Sequence, residues 1–371
     1  MIQTYSTTIR RKEMDAVLTC MVDEKIGPGE LNGRFIQLVK DFFRCDGAVA
    51  LRSPGAALKY ALKALGFEAG GVIMISALAP AWQIQTVEEL GFVPLVLDVD
   101  ENTGLVTPEI VSQGVKDGGR LLLLHETMGI LPDMDGIMQC GIPVIEDVSQ
   151  SAGAEIPAAD GSGNPASASP AGSFGVYSIL CLEEHDVVTA GGGAVLMAPR
   201  RREWLVLKKA VDAIARTELL PDINCALGWI QLKEFRRNEA ARKAAFALYQ
   251  QACLSGRHKL LFRGCALPDG AAPSVPDAGS QDEIGGALST MACFPLVLNS
   301  PFKDVRQYAA RKEVEVRQAY EDSVIALRED QLSESCIHAK SLYLRCALFP
   351  LYPRLSHSQI AKIVKVLGTL P

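Results

Sequence analysis

Ile142-Pro-Val-Ile-Glu-Asp-Val-Ser-Gln-Ser-Ala-Gly-Ala154 is the most informative run in this 371-residue chain. A short apolar strand ends in an acid, Asp147, and an amide, Gln150, follows three residues later. An anion fixed at the end of a buried strand suits a cationic ring nitrogen. Alternation along the strand turns the neighbouring Glu146 to the opposite face. Taken alone, an aspartate in this position is most often a helix or turn cap, so its surroundings must arbitrate.

Upstream, strand and helix patterns alternate. Pro54 to Leu65 places Ala57, Leu58, Ala61, Leu62 and Leu65 at three- and four-residue spacing behind a first-turn proline, which predicts a helix. Val72 to Ile75, Pro94 to Leu97, Leu121 to Leu124 and Pro143 to Ile145 read as short buried strands. Helices are expected at Trp82 to Leu90 and from Thr107, whose Thr-Pro-Glu opening supplies a cap, a proline and a first-turn acid. Strands apolar on both faces with helices between them imply a largely parallel sheet covered on both sides. The ligands of such sheets gather at the carboxyl ends of the strands, where Asp147 lies. Pro157 to Ala171 and Asp269 to Gly286 are rich in turn formers and read as loops. Cys225 to Leu254 reads as a long helix joining a large domain, residues 1–240 with an N-terminal arm, to a small one, residues 241–371. A closing helix is expected over Ser356 to Leu370.

Composition narrows the class. Apolar residues make up 48% and charged residues 22%, and the net charge is −6, which gives no basic footprint for nucleic acid. No apolar run reaches the roughly 18–20 residues that span a bilayer, and the first residues lack the order of a signal peptide. None of the 10 cysteines forms a C-x-x-C pair, so neither a zinc site nor a redox motif is expected. Scattered thiols fit a reducing, cytoplasmic setting.

The motifs, in their order and spacing, resemble the sugar aminotransferase (DegT-type) family of fold-type-I pyridoxal phosphate enzymes. Lys25-Ile-Gly-Pro-Gly-Glu30 with Phe35 resembles the family's N-terminal approach, and Arg52-Ser-Pro-Gly-Ala-Ala-Leu58 its phosphate turn. Leu90 to Asp100 with Thr107-Pro-Glu109 is similar to its second strand and following helix. His125, Gly129 and Asp133-Met-Asp135 sit in its His, Gly and Asp-x-Asp pattern. Leu220 to Leu232 resembles its interdomain helix, and Phe349-Pro-Leu-Tyr-Pro-Arg-Leu-Ser356 its C-terminal signature. The resemblance implies a mainly parallel central sheet with helices on both faces and a smaller C-terminal α/β domain. It implies that Asp147 pairs with the pyridine nitrogen, that Gln150 lies near the phenolic oxygen, and that Ser178 binds phosphate. The amides of Gly55 and Ala56, at a helix start, suit the same phosphate. Arg317 and Tyr320 stand in the sugar-facing motif. A homodimer acting on a nucleotide-linked sugar in surface-polysaccharide metabolism is implied, with no nucleic acid, membrane or metal.

The sequence departs from that family at the cofactor. Between Ser178 and Gly193 the family carries a lysine that bonds to pyridoxal phosphate, and here there is none. Counting from Ser178 puts Glu183 at its position, and counting back from Gly192-Gly193 puts His185 there. His185 is preferred, because relatives that dehydrate nucleotide-linked sugars carry histidine. Imidazole can move a proton near neutral pH but cannot form the internal aldimine. The stacking aromatic falls at Pro80, with Trp82 two residues beyond. The family's Asn-Tyr-Arg, reaching the phosphate from the partner subunit, aligns with Thr217-Glu218-Leu219. Ordinary transamination is therefore not expected, and pyridoxal phosphate is expected to bind weakly or not at all. Three functions remain: a sugar dehydratase using His185, a non-catalytic relative that binds a sugar nucleotide or a protein, and an aminotransferase drawing on Lys208 or Lys209.

Overall fold

The computed structural model describes residues 1–157, 168–254, 256–261 and 289–371. Most of the loop expected over 157–171 and all of that over 269–286 lie outside the described residues. The strands are β1 (Gly47–Leu51), β2 (Val72–Ser76), β3 (Val93–Leu97), β4 (Leu121–His125), β5 (Val144–Asp147), β6 (Glu155–Ile156) and β7 (Ser169–Pro170), continuing with β8 (Tyr177–Cys181), β9 (Ala194–Ala198), β10 (Lys259–Leu260), β11 (Phe294–Val297), β12 (Arg317–Gln318) and β13 (Cys346–Phe349).

Seven strands form the central sheet in the order β1-β9-β8-β5-β4-β2-β3. β3, β2, β4, β5 and β8 pair in parallel, and β9 runs antiparallel to both β8 and β1. This is the mainly parallel sheet that the alternating pattern predicts. One face packs Ile73, Ile75, Leu123, Ile145 and Ile179 against the helix Pro54–Leu65. The opposite face packs Met74, Leu122, Leu124 and Val144 in a second core. β11, β13 and β12, with β10 at the edge, form a smaller antiparallel sheet, with the closing helix His357–Leu367 in the same core.

The long helix expected over Cys225 to Leu254 is two helices, Asp222–Lys233 and Phe235–Cys253. Glu234 breaks the run, with ψ at 3° in place of the helical value. The second helix contributes Phe235 to one core of the large sheet and Ala245, Phe246 and Tyr249 to the core of the small one. The domain boundary expected near residue 240 thus falls inside an element shared by both cores. Ile2 also belongs to the small core, bridging Val314.

Asp222 ties the N-terminal helices to the body. Its carboxylate accepts hydrogen bonds from the amides of Gly29 (2.8 Å), Leu31 (3.1 Å) and Asn32 (2.9 Å), at the start of the helix Glu30–Phe43. Gly29 itself offers no capping side chain, so a residue nearly 200 positions away satisfies the free amides. Hydrogen bonds to a charged group contribute roughly 1.5–3 kcal/mol each. Asp222→Ala is therefore expected to destabilise the chain by about 3 kcal/mol or more, read from the urea midpoint. A loss below about 1 kcal/mol would show that water caps this helix equally well.

Candidate active-site cleft

β4 and β5 are parallel neighbours in which His125 and Asp147 stand opposite each other at the carboxyl ends. Asp147 is fully buried (0% exposed), so its charge must be met by the chain itself. Oδ2 accepts from Gln83 Nε2 (2.8 Å) and lies 3.0 Å from His125 Nδ1. Oδ1 accepts from the Ser149 amide (3.2 Å) and from the Ser149 hydroxyl. Burial alone would push this carboxyl up, but His125 and Ser149 outweigh it and hold it below its ordinary value. Asp147 is thus a carboxylate at neutral pH.

Above it opens a cleft of about 180 Å³, lined by His125, Gln150, Met128, His185, Asp186 and Tyr320 among others. Gln150 accepts from the Met128 amide, and Met128 sits in the left-handed region at φ 56°. Gly129 follows at φ 89°, where a Cβ would lie 2.0 Å from the Thr290 carbonyl oxygen, so this turn demands glycine. The Tyr320 hydroxyl reaches Met128 Sδ at 3.6 Å from the small domain. Cys293 lines the same cleft, but burial pushes its thiol up to about 12, which removes it as a nucleophile at neutral pH.

His185 lies on the loop between β8 and β9 and stacks on Tyr5, with ring centroids 4.3 Å apart and planes 13° from parallel. Arg317 covers Tyr5 at 5.6 Å and pairs with Glu321 at 2.7 Å. Tyr5 is carried there by the N-terminal segment, whose Thr4 amide donates to Glu315 (2.8 Å). Beside His185, burial raises the Asp186 carboxyl, helped by Asp147 and Glu183 and opposed by the Glu183 amide that it accepts at 2.8 Å. Of the two positions left open for the missing lysine, both exposed, His185 lines the cleft, while Glu183 lies beside the glycine turn outside its lining. Among the described residues, none that lines the cleft is a lysine. Lys208 and Lys209 lie on the helix Arg201–Val211, outside it.

The profile of the DegT/DnrJ/EryC1/StrS aminotransferase family matches residues 7–368. The chain belongs to this family. Among solved structures, it is similar to an aminotransferase from Psychrobacter cryohalolentis, at 20% identity and a TM-score of 0.77, with 98% of each chain covered. It is similar to a putative sugar aminotransferase from Streptococcus pneumoniae in its PLP form, at 13% identity and TM-score 0.80, with 98% of this chain and 97% of that one covered. It is also similar to a GDP-4-keto-6-deoxymannose-3-dehydratase with a trapped PLP-glutamate geminal diamine, at 15% identity and TM-score 0.78, covering 99% and 100%. At such identities the likeness is one of fold, the fold-type-I transferase architecture.

Against that family pattern, several expected DegT-type contacts are placed elsewhere. Ser178 pairs in register with Glu146, so alternation points it to the face opposite Asp147. Its hydroxyl is buried without a partner, pressed against Gly172. Trp82 packs on the core beneath the helix Ala81–Glu89 and does not line the cleft, whereas Pro80 does. At the phosphate turn, Pro54 has no amide and the Ala56 amide donates to Ser53 Oγ (3.1 Å), which leaves Gly55 as the uncommitted donor. Glu218 pairs with Lys59, 3.0 Å away on the helix that starts at this turn. The residues fit the ring-nitrogen end of pyridoxal phosphate in kind, through an ionised buried acid beside Gln150. They fit its phosphate end only through Gly55.

The sequence reading missed Gln83, Ser149, Asp186 and Glu126. Gln83 could have been suspected as the one amide facing inward, with Ile84, Thr86 and Val87, on this helix. Glu126 and Glu146 are both fully buried and lie against each other. Burial raises the Glu146 carboxyl as well, but the bond from Glu126 and the amides of Gly175 and Gly172 oppose that rise. Burial, reinforced by Glu146, raises Glu126 well above its ordinary value. A raised carboxyl stabilises the fold in acid and withdraws that support as pH climbs above about 4.3, the unfolded value. Glu126→Gln keeps a donor for Glu146 without needing a proton. Its stability is expected to fall less than the wild type's between about pH 5 and pH 8, read from urea midpoints. Parallel pH profiles would count against a proton shared here.

Proposed function

We propose that this DegT-type chain binds a nucleotide-linked sugar together with pyridoxal phosphate, and that it dehydrates the sugar with His185 as its acid–base group. The observation that carries this reading is that, among the described residues, His185 and no lysine lines the cleft at the position left open for the missing lysine. A structural neighbour is a sugar-nucleotide dehydratase, crystallised as a histidine-to-asparagine variant with bound GDP-perosamine.

When bound and charged with nitrogen from an amino donor, pyridoxal phosphate would supply the conjugated ring and the electron pair that let a sugar hydroxyl leave as water. This chain's residues do the rest. Asp147, held ionised, anchors the ring nitrogen, and Gln150 stands by the phenolic oxygen. The Tyr5 stack fixes the plane of the His185 imidazole, whose ring nitrogens are the proton-carrying groups of this reading. Arg317 and Tyr320, on the small domain, are the sugar-side contacts, Tyr320 in the cleft wall and Arg317 behind Tyr5. The reading extends to a cytoplasmic homodimer in surface-polysaccharide metabolism. Met14, Leu18 and Met21, exposed on one face of the helix Arg11–Val22, offer an apolar stripe for a second copy.

A second reading, a non-catalytic sugar-nucleotide binder, is favoured by the phosphate turn, where only Gly55 keeps an amide uncommitted. Two measurements separate them. Borohydride reduction of the loaded protein is expected to label no single lysine, because none lines the cleft. Incubation with pyridoxal phosphate, an amino donor and a 4-keto sugar nucleotide is expected to yield the deoxygenated sugar, and His185→Asn should lower that rate about 10²–10⁴-fold. Sugar binding without turnover would establish the non-catalytic reading. A pyridoxyl-lysine at one position would overturn the role of His185.

A further inference from the structure

The carboxylate that would anchor the cofactor is already occupied by the chain. An ionised carboxylate offers about four acceptor positions. At Asp147 they are taken by Gln83, His125, the Ser149 amide and the Ser149 hydroxyl. A pyridinium nitrogen can reach Asp147 only by displacing one of these donors.

The four are not equally replaceable. Ser149 gives both its donors to one oxygen while its hydroxyl accepts the Cys181 amide at 2.9 Å, so it is locked between β5 and β8. His125 is fixed by the pairing of β4 with β5. Gln83 makes a single bond to Asp147 from the helix Ala81–Glu89, and its own Oε1 is buried without a hydrogen-bond partner. A side chain held at one end and unsatisfied at the other is the least costly donor to evict. The Gln83 backbone amide donates to the carbonyl of Pro80 (3.0 Å), which lines the cleft, so Gln83 stands one turn from the space a ligand would take.

We propose that Gln83 is a built-in competitor for the cofactor: its amide occupies the ring-nitrogen position on Asp147, satisfies the buried charge in the free protein, and must swing away before pyridoxal phosphate can bind. This rests on the reading that the chain takes pyridoxal phosphate, and it names the residue that sets the affinity. With no lysine to tether the cofactor, the competition acts on the whole of the binding equilibrium. In the free protein the same contact spares a fully buried carboxylate from losing a donor.

The test is calorimetric titration of the full-length protein with pyridoxal phosphate, checked by the absorption spectrum of the bound chromophore. Gln83→Ala is expected to tighten binding at least tenfold, and Gln83→Asn, whose shorter amide falls away from Asp147, should do the same if the alanine variant folds poorly. Adding Asp147→Asn to Gln83→Ala should abolish the gain, because the freed acceptor is lost. Equal affinity in the wild type and both Gln83 variants would overturn the competition while leaving cofactor binding intact. A gain that survives Asp147→Asn would also overturn it, since added space would then be the cause. Absence of binding in every variant would overturn both this inference and the cofactor reading.

Discussion

A negative charge with no access to water sits at the end of the central strand, and much of the site is arranged around it. Moving a carboxylate out of water costs several kcal/mol unless the protein replaces the lost hydration. At Asp147 the replacement comes from the next strand, from the turn that follows, and from a helix on one face of the sheet. Each of these elements is thereby fixed relative to the others. The carboxyl ends of β4 and β5 are held level, the 147–150 turn is closed, and the helix Ala81–Glu89 is pinned at its first turn. Behind the strand a second acid, Glu146, does similar work for the 172–175 segment. Two adjacent acids on opposite faces therefore organise opposite sides of the same layer.

The fold is the family's, while the phosphate end of the site departs from the family's motif. At Gly193 a Cβ would meet Leu220 and the Leu51 carbonyl, so this turn requires glycine there. The parts that would grip a phosphate have been redirected into internal contacts instead. Ser53 caps its own helix through Ala56, and Glu218 neutralises Lys59. A site that loses its ligand contacts in this way does not become empty. Its polar groups find each other, because a buried donor or acceptor left alone is costlier than a new internal bond.

How much of this was legible in the sequence depended on whether the information was local. The strands at 72–76, 93–97 and 121–125 and the helix at 54–65 announce themselves through apolar spacing and proline. The kink at Glu234 did not, since the helical pattern runs through it and only the backbone angle reveals the break. Asp147 and Gln150 were legible because strand, acid and amide lie within a few residues. Ser178 misled: the family motif aligns it, but its register beside Glu146 turns it away from the site, and pairing register is not written in a single strand. Gln83 and His125 meet Asp147 from 64 and 22 residues away, a distance that no local pattern encodes.

The placement of Tyr5 carries a consequence for how the molecule is made. The first residues of the chain are stitched to positions 313–315, with Thr4 bonded to Glu315 across 311 residues of sequence. In synthesis the Tyr5 segment precedes its docking surface by that same span. The large sheet can assemble while the segment remains unattached, but the aromatic shelf under His185 cannot. The cleft can thus close only after positions 313–315 have been made, and a nascent chain carries a folded platform before it carries a finished site.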